Sequence, residues 1–202
     1  MWRGALGLLL ATSLQAGPDF PKWGVGLFAG QETGNQAGLC GRPFGFEASW
    51  HFLQGHWVEG RLRGTFLRFG YGDGVQTRSP AYVYRYKMRA DYLVIASDWV
   101  FCLQKPRGPY LVAGVGWHLG EQEFREDLIP IVPEALPEVR TNRETSNFFA
   151  FSVGLGYQIQ NRVEVELRWD FLPDAILLRG WGSGSVPYED VSALNLAVRV
   201  RF

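Results

Sequence analysis

Cysteine, methionine and histidine are nearly absent from this chain: two, two and three in 202 residues. So few sulfur and imidazole groups provide no disulfide framework and no ligand spacing for a metal ion. Net charge is absent as well, with 20 Lys+Arg against 20 Asp+Glu, which removes the electrostatic basis for a nucleic-acid partner. No stretch approaches the roughly 20 consecutive apolar residues that a membrane-spanning helix needs. Disorder is excluded by the abundance of aromatic and branched residues.

What is abundant is glycine, 25 residues, and aromatic rings, 14 Phe, 8 Trp and 8 Tyr. The chain is 47% hydrophobic, yet its mean hydropathy is only -0.08, so apolar and polar residues must be finely interleaved. The N-terminus is the exception. Met1-Trp2-Arg3 gives a positive start, residues 4–14 an apolar core, and Gln15-Ala16-Gly17 a small-residue end, the layout of a secretory signal peptide. Cleavage after Ala16 is expected, with residues 17–202 as one mature domain. A lipoprotein signal would need cysteine at the cleavage point, and the first is Cys40.

Beyond that point, period-2 alternation recurs to the end of the chain, placing one set of side chains on each face of a strand. In residues 163–171, Val163, Val165, Leu167, Trp169 and Phe171 interleave with Glu164, Glu166, Arg168 and Asp170. Residues 194–202 set Leu194, Leu196, Val198, Val200 and Phe202 against Asn195, Ala197, Arg199 and Arg201. Residues 43–53 set Phe44, Phe46, Trp50 and Phe52 against Glu47 and His51, and residues 57–69 set Val58, Leu62 and Phe66 against Glu59, Arg61, Arg63 and Thr65. Over 82–97, Tyr82 to Val94 on the even positions alternate with Val83, Arg85, Lys87, Arg89 and Asp91. Residues 23–30, 110–120 and 148–158 have the same period, with glycine, alanine and serine on the second face. Together these make eight antiparallel strands.

Connections alternate strictly between short (54–56, 104–108, 160–162) and long (31–42, 70–81, 121–147, 173–190). That is the plan of an up-and-down transmembrane barrel in an outer membrane, with periplasmic turns, extracellular loops and both termini in the periplasm. A soluble carrier barrel would instead turn its apolar set inward. The polar set decides between them: Glu47, Glu59, Arg61, Arg63, Lys87, Arg89, Asp91, Glu164, Glu166, Arg168, Asp170, Arg199 and Arg201 are six acids and seven bases. Their mutual neutralisation suits the narrow interior of an eight-stranded barrel, while the opposite rings would overfill it. Aromatic residues near strand ends are expected to form two girdles, one with Trp23, Trp50, Phe52, Trp57, Trp99, Phe101 and Tyr157, the other with Phe69, Tyr71, Tyr82, Tyr84, Trp117, Phe149, Trp169 and Phe171.

The signal peptide, Pro109-Tyr110-Leu111-Val112-Ala113-Gly114-Val115-Gly116, Ser152-Val153-Gly154-Leu155-Gly156-Tyr157 and the last strand ending in Phe202 resemble the small eight-stranded outer-membrane barrels of the OmpA/OmpX type. The resemblance spans the mature chain and implies fold and location rather than activity. It implies that Phe202 is the signal read by the barrel-assembly machinery, with periplasmic chaperones, outer-membrane lipids and lipopolysaccharide as further partners and a monomeric state. No peptidoglycan-binding domain follows Phe202, so no cell-wall tether is expected.

Specific chemistry is sparse. The pairs Gly24/Gly26, Gly114/Gly116 and Gly154/Gly156 do not continue into a phosphate-binding motif, and are expected to make room for long side chains opposite. Cys40, in a long loop, and Cys102, near a short turn, should sit at opposite ends as unpaired thiols. Folding 110–120 on 148–158 about residue 135, and 148–158 on 163–171 about residue 161, would align His118, Ser152 and Asp170 as base, nucleophile and orienter. A two-residue slip would separate them, leaving hydrogen bonding within the lumen. Residues 121–147, with Pro130, Pro133 and Pro137, should form an extended surface arm, and Ala175 to Leu178 could dock on a partner or lipopolysaccharide. No cofactor and no catalysis are expected. The expected role is structural or surface-interactive with a charge-plugged lumen; the alternatives are a narrow pore and, third, a lipid-modifying enzyme.

Overall fold

The computed structural model describes residues 22–33, 42–55, 57–71, 76–103, 108–159, 162–176 and 189–202. The expected signal peptide, Cys40 and the apolar Leu177 and Leu178 lie outside these residues. All elements among the described residues are strands: β1 (Trp23–Thr33), β2 (Arg42–Gln54), β3 (Val58–Tyr71), β4 (Gln76–Arg78), β5 (Tyr82–Cys102), β6 (Gly108–Pro130), β7 (Glu138–Ile159), β8 (Val163–Ile176) and β9 (Glu189–Arg201). Eight of them form a closed antiparallel ring, β1-β2-β3-β5-β6-β7-β8-β9, with β9 returning to β1 and β3 pairing directly with β5. Closure leaves no unpaired edge within the ring, the condition under which a sheet can stand in lipid. At the short-turn end Trp23 N donates to Phe202 O at 3.2 Å and Phe202 N to Trp23 O at 2.9 Å, so the C-terminal residue seals the ring.

The alternation turns the apolar set outward. Leu27, Phe46, Leu62, Ile95, Leu111, Val153, Leu155, Leu167, Leu196 and Val198 are all exposed on the outer wall. Around its lower rim Trp23 stacks on Trp50 (6.2 Å), Trp50 meets Phe52 (6.0 Å) and Phe52 meets Trp99 edge-on (6.2 Å). The last contact crosses β3 at Gly60, where a Cβ would come within 2.5 Å of the Phe52 ring. Higher up, Trp117 and Phe149 stack across β6 and β7 at 6.1 Å, and Trp169 and Phe171 are exposed.

Three expectations need correction. Phe69 is not in a girdle: it is 2% exposed, inside the barrel, packed edge-on against Tyr92. On β5 the faces over 82–97 are the reverse of those expected from the sequence, with Tyr92, Val94 and Ala96 inward, continued by Asp98, and Arg89, Leu93 and Ile95 outward. The cause is local: Tyr92-Leu93-Val94-Ile95-Ala96 is apolar on both faces, so alternation carries no sign there. Third, the expected strand bounds are too short: the 121–147 segment is the extended arm expected, but it is built mostly of paired strand. β6 and β7 pair continuously from Gly108↔Gln158 to Leu128↔Glu138, and β5 follows β6 up to Tyr82↔Pro130.

The consequence is an arm. β7 pairs with β8 only from Phe151 downward, so above that level β4 to β7 rise as a sheet clear of the ring. Its strands are charged on the outer face, where Arg143 pairs with Glu123 at 2.9 Å and Arg125 with Asp127 at 2.7 Å; such charges guard an otherwise open edge. At the arm's root, Phe28, Leu67, Phe69, Tyr92, Phe148 and Leu172 close the upper interior as an apolar layer. We expect Phe69→Ala to destabilise the folded barrel by about 3–5 kcal/mol, the cost of emptying a buried aromatic site, measured by urea unfolding in lipid vesicles; a cost near zero would place the ring outside the core.

Candidate functional site

Below the apolar layer the interior is a lattice of ions. Inward positions on β2, β3, β5, β8 and β9 bring together Glu47, Glu59, Arg61, Arg63, Asp98, Glu164, Glu166, Arg168, Arg199 and Arg201, each at most 4% exposed, with Asp170 at the upper margin. Arg61, wholly buried, reaches Asp98 (2.8 Å), Glu166 (3.0 Å) and Glu164 (3.4 Å). Arg63 Nε donates to Asp98 at 3.0 Å. Arg199 donates through Nε to Glu47 at 2.8 Å and through a terminal nitrogen to Glu164. Arg168 spans Glu166 (3.4 Å) and Asp170 (2.9 Å), while Arg201 spans Glu164 (3.0 Å) and Glu59 (3.4 Å). His51 Nδ1 lies 3.1 Å from Glu59, and Tyr110 donates its hydroxyl to Glu166 at 3.1 Å.

Six carboxylates thus face five guanidiniums and one imidazole. Isolated buried ions would be prohibitive; here nearly every acid touches more than one base, so removing one group leaves its neighbours exposed to the full desolvation cost. Small residues make the room. A Cβ at Gly114 would sit 2.3 Å from Asp98 Oδ1, and one at Gly24 would sit 3.1 Å from Arg199 Cδ. The other glycines of these pairs answer to other neighbours: a Cβ at Gly26 or Gly154 would strike the carbonyl of the adjoining strand, one at Gly116 would press on Ala96 and Val94, and one at Gly156 would strike the Tyr110 ring.

Lys87, Arg89 and Asp91 are not in the lattice. They share the outer face of β5, where Arg89 and Arg68 both pair with Asp91 at 2.6 Å at the base of the arm. The same reversal hid Asp98, which sequence reasoning missed although it lies between Arg61 and Arg63. Its available signal was Gly114, a gap in the strand opposite.

The fold has a solved counterpart. The chain is similar to Ail, the attachment invasion locus protein of Yersinia pestis, with a TM-score of 0.50 and 14% identity over 90% of this chain and 97% of that one. Neisserial surface protein A aligns with a TM-score of 0.48 and 12% identity, over 89% and 96% of the two chains. The N-terminal β-barrel domain of Pseudomonas aeruginosa OprF aligns at 0.42 and 13%, over 89% and 97%. No protein-family model matches the chain, and no curated protein matches its sequence. At 14% identity the likeness to Ail is one of fold: an antiparallel up-and-down barrel.

His118, Ser152 and Asp170 line one small cavity of about 20 Å³, together with Arg63, Arg168 and Thr65. They do not form a relay. β7 and β8 pair Ser152 with Asp170 as expected, but β6 and β7 pair Ser152 with Gly114 and His118 with Phe148, a shift of four residues. The imidazole stacks on Phe148 at 4.7 Å, and Asp170 is held by Arg168 and by Asn195 Nδ2 at 2.6 Å. The longer β6–β7 ladder moves the hairpin centre from residue 135 to 133 and displaces the histidine upward. Asp98→Ala should cost about 3–5 kcal/mol in urea unfolding, because two guanidiniums lose a shared partner; exposed Arg89→Ala should stay within about 0.5 kcal/mol. Equal costs would contradict the inward assignment of Asp98.

Proposed function

We propose that the chain is an outer-membrane barrel with a structural or surface-interaction role, its short-turn end facing the periplasm and its arm the exterior. The observation that carries this reading is the inversion of the wall: apolar side chains cover the ring outside, and the ionised ones are paired inside. The exposed band, bounded by aromatic rims, is the surface expected against lipid tails. Residues 1–16 would direct export, and the exposed Phe202 ring at the sealed seam is the element we assign to recognition by the barrel-assembly machinery. Outer-membrane lipids and lipopolysaccharide are the proposed surroundings of a monomer.

We assign the lumen no transport role. Two layers in series support a plug: the ion lattice below, and the Phe28, Leu67, Phe69, Tyr92, Phe148 and Leu172 layer above. The cavity between them, about 20 Å³, has room for about one water molecule. What remains to act on the surroundings is the arm, whose tip exposes Ile131 (52%), Leu136 (78%) and Val139 (57%).

Two measurements test this reading. Protein folded into a planar bilayer, with folding checked by heat-dependent gel mobility, should be electrically silent; steady ohmic steps abolished by altering Arg63 or Glu166 would make it a narrow pore. Leu196→Arg, in the middle of β9 on the outer wall, should destabilise the barrel in lipid vesicles by about 2–4 kcal/mol. Leu136→Arg at the arm's tip should change stability little, and equal effects at the two sites would remove the case for a lipid-facing band.

A further inference from the structure

The arm's inner face, which continues the barrel interior upward, holds a pocket between β6 and β7 of about 180 Å³, several times the roughly 30 Å³ share of one water. Cross-strand pairs build it, Glu126 opposite Arg140 and Phe124 opposite Asn142, with Glu138 and Thr141 completing the lining. Glu126 is only 2% exposed, yet its Oε2 accepts no hydrogen bond. The facing Arg140 Nη1 stands 3.9 Å away, beyond hydrogen-bond reach. Arg140 is held there by Glu138, to which its Nε and Nη2 donate at 2.7 and 3.0 Å, and this pairing keeps the Glu138 carboxyl below its ordinary range. Asn142 donates Nδ2 to Glu144 at 3.3 Å, which leaves its amide oxygen as a second acceptor.

The gap between Glu126 and Arg140 selects its occupant by chemistry. A group seated there must donate to a carboxylate and accept from a guanidinium at once. An ammonium only donates and a sulfate dianion only accepts; a hydroxyl does both. Phe124 adds an apolar wall against which the C–H face of a sugar ring can lie, and Asn142, which lines the same pocket one same-face pair along the ladder, offers its amide oxygen to a second hydroxyl. We propose that this pocket binds a neutral saccharide, Glu126 and Arg140 sharing one hydroxyl and Asn142 accepting from the next. Its exposure to external glycans rests on the outward orientation of the arm proposed above, but the binding chemistry does not, so the two readings fail separately.

The test is amide NMR of isotope-labelled protein folded in lipid nanodiscs, titrated with the methyl glycosides of glucose, galactose and mannose and, in parallel, with sodium sulfate. At least one glycoside should saturably shift the resonances of Glu126, Arg140 and Asn142 with a Kd of about millimolar, while sulfate leaves them in place. Glu126→Gln and, independently, the milder Asn142→Ala should each weaken that binding, the first by about tenfold or more, with the barrel resonances unchanged. If no glycoside moves these signals up to about 100 mM, the pocket holds water alone and the proposal falls. It falls equally if sulfate moves them and Glu126→Gln does not weaken the effect, since that would be an anion site on Arg140.

Discussion

The structure depends on one constraint: a closed ring of eight strands encloses a space just wide enough for side chains to fill, and alternation sends ionised ones into it. Inward charges must therefore find counter-charges among the side chains around them, on the same strand for Arg168 and Asp170 and on other strands for most of the rest. Arg61 on β3 meets Asp98 on β5 and Glu166 on β8; Arg199 on β9 meets Glu47 on β2 and Glu164 on β8. Arg61–Asp98 and Arg199–Glu164 join directly paired strands, whereas Arg61–Glu166 and Arg199–Glu47 reach past the neighbouring strand to residues more than 100 positions away. The lattice consequently ties together the registers of β2, β3, β5, β8 and β9, because a one-residue slip of any of them would eject its ions onto the outer wall and bring apolar side chains inside.

The same constraint explains the division of the molecule along its axis. Where the outer wall is apolar, the interior is ionic. Toward the arm the arrangement inverts, with Phe69, Tyr92, Phe148 and Leu172 inside and Arg68, Arg89 and Asp91 outside. In the membrane setting proposed above, β5 would leave an apolar medium for water where its outer face changes character, between Leu93 and Asp91. The arm beyond it is an ordinary water-exposed sheet, salt-bridged on one face and carrying the Glu126–Arg140 pocket on the other.

The sequence was most legible where one face is charged and the other apolar over several repeats. β8 and β9 are such cases, and Ser152↔Asp170 follows from the three-residue turn between β7 and β8. Legibility ended where both faces are apolar, at Tyr92 to Ala96, and with it went the assignment of Lys87, Arg89 and Asp91 and the recognition of Asp98. Hairpin registers inferred from the middle of a long connection also failed: the 121–147 segment contains three prolines, but Pro130 stands at the end of β6 and Pro133 and Pro137 in the turn, so the ladder runs on beneath them. The Glu126 pocket was invisible for the same reason, since its facing pairs exist only once that ladder is known.

The central claim, that the interior ions are mutually dependent, is tested most directly by a double-mutant cycle on Glu47 and Arg199 in vesicle-folded protein. Glu47→Gln and Arg199→Met should each destabilise by about 3–5 kcal/mol, because each strands a buried charge. The double variant should cost clearly less than their sum, with a coupling of about 1.5 kcal/mol or more. Additive losses would contradict the account, since they would mean that the two side chains are solvated independently and that the lumen is a wet channel rather than a lattice of paired ions.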